Sequence, residues 1–96
     1  MSYDISLHDA ESGEELEYTN PTYNYGQVWG SLVYDLNGKV AADTVPPLRE
    51  FCLANVHEIG RGSEDSWAPT PENAMLVVPR LLFWAMKYPT AVWKVT

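Results

Sequence analysis

Tyr3-Asp4-Ile5-Ser6-Leu7-His8-Asp9-Ala10-Glu11-Ser12-Gly13-Glu14-Glu15-Leu16-Glu17-Tyr18 holds two alternating runs joined by a turn. In the first run Tyr3, Ile5 and Leu7 fall on one side and Asp4, Ser6 and His8 on the other, the two-residue period of a half-buried strand. Residues 9–13 have turn chemistry, with Gly13 free to take a positive φ. Residues 14–18 alternate again, which predicts Leu16 and Tyr18 inward and Glu15 and Glu17 outward. The stretch reads as a β-hairpin with a longer loop.

A hairpin alone is marginal in water, so this one needs a further strand. Residues 91–96 supply it, with Ala91, Trp93 and Val95 on one face. We expect that strand to pair beside the first, running parallel to it. Three helical segments lie between. Asn24 caps the first, with Gln27 as reciprocal partner, and Tyr25, Val28, Trp29, Leu32 and Leu36 recur at helical spacing up to Asn37-Gly38. Gly26 and Gly30 weaken that helix by roughly 1 kcal/mol each, and permit close approach of another backbone. Asp43 or Thr44 caps the second, Pro46 and Pro47 fall in its first turn, Val45, Leu48, Cys52, Val56 and Ile59 form its inner stripe, and Gly60 stops it. Thr70-Pro71-Glu72 opens the third: a cap, a proline at the first helical position and an acid in the first turn. It runs to about Tyr88, and Pro79 in its interior kinks it near Met75 or splits it. Its stretch 74–86 is apolar nearly all round, so it is buried on several sides or covered by another chain. The expected fold is a small α+β domain: a three-stranded sheet, made of the N-terminal hairpin and the C-terminal strand, packed on about three helices.

A length of 96 residues suits one domain, and a hydrophobic share of 46% is enough to build a core. The single cysteine, Cys52, forbids an intrachain disulfide, and residues 1–4 lack the basic and apolar regions of a signal peptide. The longest apolar run falls well short of the ~20 residues that span a bilayer. These features predict a soluble protein of the cytoplasm.

Charge is distributed unevenly. Asp4, Asp9, Glu11, Glu14, Glu15, Glu17 and Asp35 precede the first base, Lys39, and beyond that point acids and bases balance, so the whole net charge of −7 belongs to the first third. This disfavours nucleic acid and anionic membrane as partners and suits a basic protein surface.

The chain resembles a group of small uncharacterised proteins encoded by bacteriophages and prophages. The blocks that carry the resemblance are Tyr3-Asp4-Ile5-Ser6-Leu7, Thr22-Tyr23-Asn24-Tyr25, Trp67-Ala68-Pro69-Thr70-Pro71-Glu72-Asn73-Ala74, and Leu81-Leu82-Phe83-Trp84-Ala85 with Pro89 after it. Members of the group lack a proline where Pro79 stands, and often carry a longer insert before the Tyr-Asn-Tyr segment. The resemblance implies a phage accessory role in a bacterial host and no catalytic residue or cofactor.

The candidate chemistries are few. Cys52 and His57 lie five residues apart on one expected helix, about 140° around it, and cannot face each other; Cys52 reads as a buried thiol. His8, Asp9, Glu11 and Glu14 crowd the hairpin end without EF-hand spacing, so a solvated acidic turn is expected there and no metal. Glu15 and Glu17 are expected on a solvent face with no apolar wall to shift a pKa. Gly60-Arg61-Gly62-Ser63 follows a helix instead of preceding one, which is the wrong order for a phosphate loop.

What remains is surface. The expected protein-binding residues are Asp9, Glu11, Glu14, Glu15 and Glu17 on the hairpin, with Tyr23, Asn24, Tyr25 and Trp67 as aromatic and polar anchors. The competing account is that these aromatics pack helix ends to the sheet and the acids only keep the surface soluble. The expected function is therefore binding without catalysis or cofactor: an accessory protein that docks on a basic surface of another protein, in the form of an inhibitor of a host defence or nucleic-acid-binding factor. Two alternatives stand beside it. One is a homo-oligomeric assembly component joined through the helix 74–86. The other is a small-ligand binder or enzyme with a pocket among Tyr23, Asn24, His57 and Trp67.

Overall fold

In the computed structural model, which describes residues 1–59, 61 and 67–96, strands β1 (Ile5–His8), β2 (Glu15–Thr19) and β3 (Val92–Val95) form one sheet in the order β2-β1-β3. The expected α+β class holds, and β3 lies beside β1 as expected. Its direction differs: β3 is antiparallel to β1, pairing Ile5 with Val95, Ser6 with Lys94 and Leu7 with Trp93. A period of two reads the same in both directions, so alternation selects the buried face without selecting the direction. The antiparallel ladder also extends past the strand ends, where Asp4 and Thr96 exchange two backbone hydrogen bonds of 3.0 Å.

The second strand corrects the expected facing. Leu7 pairs with Glu17 but His8 pairs with Glu15, so Leu16 is an extra residue, a β-bulge. One inserted residue reverses the alternation beyond it. Glu17 therefore shares the core side with Leu7, and Tyr18, opposite Ser6, comes out on the solvent side.

Helices cover one face of the sheet. The first expected helix is broken into a 3-10 turn over Tyr23–Tyr25, α1 (Gly26–Trp29) and a second 3-10 turn over Tyr34–Leu36. Gly30 ends α1 with φ of 58°, a conformation that costs glycine least. The expected side chains are still used, since Tyr25, Trp29 and Leu36 are buried together with Val33.

Helix α2 (Ala41–Ala54) starts earlier than expected and has no side-chain cap. Its first amides are met by the turn before β3: Ala41 donates to Ala91 O at 2.8 Å and Ala42 to Pro89 O at 2.9 Å. Pro46 and Pro47 consequently lie inside the helix, on its exposed side, where water can meet the carbonyls they leave unbonded. Val56 and Ile59, expected inside, are exposed on and beyond a 3-10 turn over Val56–Glu58. The expected stop at Gly60 and the glycine pair Gly60 and Gly62 lie outside the described residues.

Pro79 splits the third helix. Helix α3 (Pro71–Ala74) is capped by Thr70, whose side chain accepts from Asn73 N at 3.4 Å, and α4 (Val78–Lys87) begins with Pro79 in its first turn. Helices α2 and α4 pack on each other. Tyr3, Ile5, Leu7, Trp93 and Val95 from the sheet meet Leu48, Val78, Leu81 and Trp84 in one core. Trp93 Nε1 donates to Thr44 Oγ1 at 2.9 Å, and Thr44 donates on to Ala41 O at 2.7 Å, so the indole ties β3 to the start of α2. No helix among the described residues is long and apolar enough to cross a membrane.

Candidate functional site

The face of the sheet away from the helices gathers polar side chains. Asp4, Ser6 and His8 come from β1 and its approach, Glu15 and Tyr18 from β2, and Lys94 from β3. Ser6 is the most deeply set of them. It retains 7% of its surface because Tyr18 flanks it on one strand and Lys94 on the other. Its Oγ lies 2.8 Å from His8 Nε2 and 3.4 Å from Lys94 O.

The other ring nitrogen, His8 Nδ1, lies 3.0 Å from Gly13 O. A carbonyl only accepts, so Nδ1 carries the ring proton; in the neutral ring Nε2 then accepts from the Ser6 hydroxyl. The turn that presents Gly13 is tightly bonded. Asp9 N donates to Glu14 O at 2.8 Å, Gly13 N to Asp9 O at 2.9 Å, and the Asp9 carboxylate accepts from Glu11 N and Ser12 N, each at 2.9 Å. The Ser12 and Glu11 amides hold the Asp9 carboxyl below its ordinary value. Tyr18 donates its hydroxyl to Asp4, and that bond, chiefly, raises the phenol above its ordinary value. Sequence reasoning placed Ser6 and His8 on one strand face but paired neither with the other. The signal was available, because an interval of two on a strand puts both side chains on the same side.

A second feature lies at the opposite end of the hairpin. Ser2 bridges to Thr22 there, and Met1, Ser2, Asn20, Thr22, Tyr25 and Trp67 line an open cavity of about 300 Å³. Asn24 Nδ2 donates to Trp67 O at 2.8 Å, so two of the blocks quoted for the resemblance are in contact. Of the residues expected to form a pocket, the cavity takes Trp67 alone, with Tyr25 in place of Tyr23 and without His57. His57 Nε2 instead meets Glu58 Oε1 at 3.0 Å, and burial pushes the Cys52 thiol up.

The expected binding residues thus divide. Asp9, Glu11 and Glu14 are on the turn, Glu15 on the open face and Glu17 at the core side. Tyr23 packs edge-on against Tyr3 with ring centres 4.9 Å apart, which joins the helical segment to the approach of β1, and Tyr25 packs against Trp29 at 5.7 Å within that segment. Trp67 is 63% exposed. From Ser2 to Asp9 is seven strand steps of about 3.3 Å, roughly 23 Å, so the acidic turn and the Trp67 cavity are two separate places on the molecule. Among the described residues no carboxylate of the first third lies within ion-pair distance of a Lys or Arg. No family model matches the chain, and no curated protein or solved structure matches it.

Proposed function

We propose that the protein is a binding module that docks its acidic hairpin on a basic surface of another protein. The observation that supports this reading is the unpaired state of the hairpin carboxylates among the described residues. No internal cation neutralises Glu11, Glu14, Glu15 or Glu17 among the described residues, and the ribbon that carries them ends in a turn rigidified by Asp9. Such a field speeds encounter and selects orientation. Trp67 adds an exposed aromatic anchor about 23 Å away by strand geometry, a distance a standard interface of roughly 800 Å² per partner can span. The resemblance to phage-encoded proteins supplies the setting. The partner class is a basic host protein in the bacterial cytoplasm whose surface otherwise meets phosphates, as in a defence or nucleic-acid-binding factor.

The test is capture from host lysate with the wild-type chain and with a variant carrying Glu11→Gln, Glu14→Gln, Glu15→Gln and Glu17→Gln. A basic partner should bind at low salt and be released at about 1 M salt, where the screening length is roughly 3 Å. It should not bind the variant. A partner held equally by both chains, or no partner, sinks the reading.

A second reading is favoured by one observation. Phe83 and Met86, three residues apart on α4, are 61% and 63% exposed, which suits self-association through that helix. A concentration-independent monomer in sedimentation would remove it.

A further inference from the structure

We propose that Ser6 is a nucleophile activated by His8, and that the open face of the sheet carries out acyl transfer on small esters. This goes beyond docking by the hairpin and does not depend on it.

An activated serine needs a base within hydrogen-bond reach and a third group that orients the base. Both are present. Ser6 Oγ is 2.8 Å from His8 Nε2, and His8 Nδ1 is held at 3.0 Å by Gly13 O, which fixes the tautomer that accepts the serine proton. The competing acceptor of Ser6, Lys94 O, is farther at 3.4 Å. Gly13 is held by Asp9 through a 2.9 Å amide bond, so the orienting carbonyl is part of a bonded turn. Lys94 is the cross-strand partner of Ser6, and among the described residues no carboxylate lies within ion-pair distance of its ammonium. It is the cation available to a developing oxyanion. Ser6 lies low between Tyr18 and Lys94, so the substrate is limited to a compact acyl group such as acetyl.

In the first step the Ser6 Oγ–H proton passes to His8 Nε2 while Oγ bonds to the acyl carbon. The bond from that carbon to the leaving oxygen breaks, and the leaving group either takes the proton from His8 or departs as the phenolate while His8 gives that proton to solvent, so that His8 is neutral again. In the second step water attacks the acyl carbon, His8 takes a proton from that water, and the ester bond to Ser6 breaks. The acid is released and Oγ recovers its proton from His8.

The experiment has two probes, p-nitrophenyl acetate and an alkyl fluorophosphonate, which bonds to Oγ through phosphorus with loss of fluoride. The expected result is one phosphonyl group per chain, mapped to the peptide containing Ser6, with p-nitrophenol released from the ester. Ser6→Ala should abolish both. His8→Gln, which keeps a polar side chain but no base, should slow both by about 10²-fold, the ordinary contribution of a general base. Circular dichroism confirms that each variant is folded. An unlabelled Ser6 in the wild-type chain overturns the proposal. So does a folded His8→Gln chain labelled at the wild-type rate.

Discussion

Gly26 shows how one missing atom fixes a contact. A β-carbon placed on it would collide with the Tyr3 hydroxyl, which also accepts from Trp29 Nε1 at 3.3 Å. We expect Gly26→Ala to destabilise the fold by about 1–3 kcal/mol, the usual range for overpacking, measured by the midpoint of denaturant unfolding. Adding Tyr3→Phe removes the obstructing oxygen, so the double variant should be more stable than the sum of the two single losses. Strict additivity would show that the clash is not the cause. Gly26 was legible in the sequence as a site of close approach, but the approaching group is the phenol of Tyr3, just before β1, and not a backbone. Nothing in the spacing of residues 3 and 26 announces that meeting, since it exists only after the sheet and α1 have docked. The pairing of Ser6 with His8 is the opposite case. Strand geometry alone puts both side chains on one face, two residues apart.

Among the elements, those specified by local chemistry were readable and those specified by tertiary contacts were not. Thr70, Pro71 and Glu72 announced α3, and Thr70 does cap it. Thr70→Ala should therefore cost about 1 kcal/mol, while Thr70→Ser should restore most of it. Pro79→Ala should move stability by less than about 1 kcal/mol, because Pro79 is in the first turn of α4, where an amide has no partner within the helix. Thermal or denaturant melts of the three variants decide the matter, and a larger loss for Pro79→Ala than for Thr70→Ala would refute the assignment. The start of α2 was misplaced because its first amides are satisfied by Ala91 O and Pro89 O, far along the chain, instead of by a neighbouring side chain. The bulge at Leu16 escaped for a related reason. The hydrophobic pattern of 14–18 suits an unbroken strand, and only pairing with β1 reveals the extra residue.

For the molecule as a whole, the uneven charge has a measurable effect on stability. The chain carries −7, and the hairpin acids repel one another without internal cations to offset them among the described residues. Moderate salt screens that repulsion, so the melting temperature should rise as salt is raised from low ionic strength. The variant with Glu11, Glu14, Glu15 and Glu17 changed to Gln should melt higher at low salt and respond less to it. Equal salt responses would mean that the hairpin field is not significant for the folded state. Composition made this asymmetry visible at once. It could not reveal that the acids and the Trp67 cavity occupy opposite ends of the sheet, because that separation is set by strand direction.

The central strand has one consequence for biosynthesis. Ile5 is bonded through β1 to Val95, at the far end of the sequence. At about 5–20 residues per second of translation, the hairpin, complete at Thr19, waits roughly 4–15 s for the strand that completes its sheet. During that interval Ile5 and Leu7 have no Trp93 or Val95 beside them, and the bare side of β1 is open to a chaperone or to a neighbouring nascent chain.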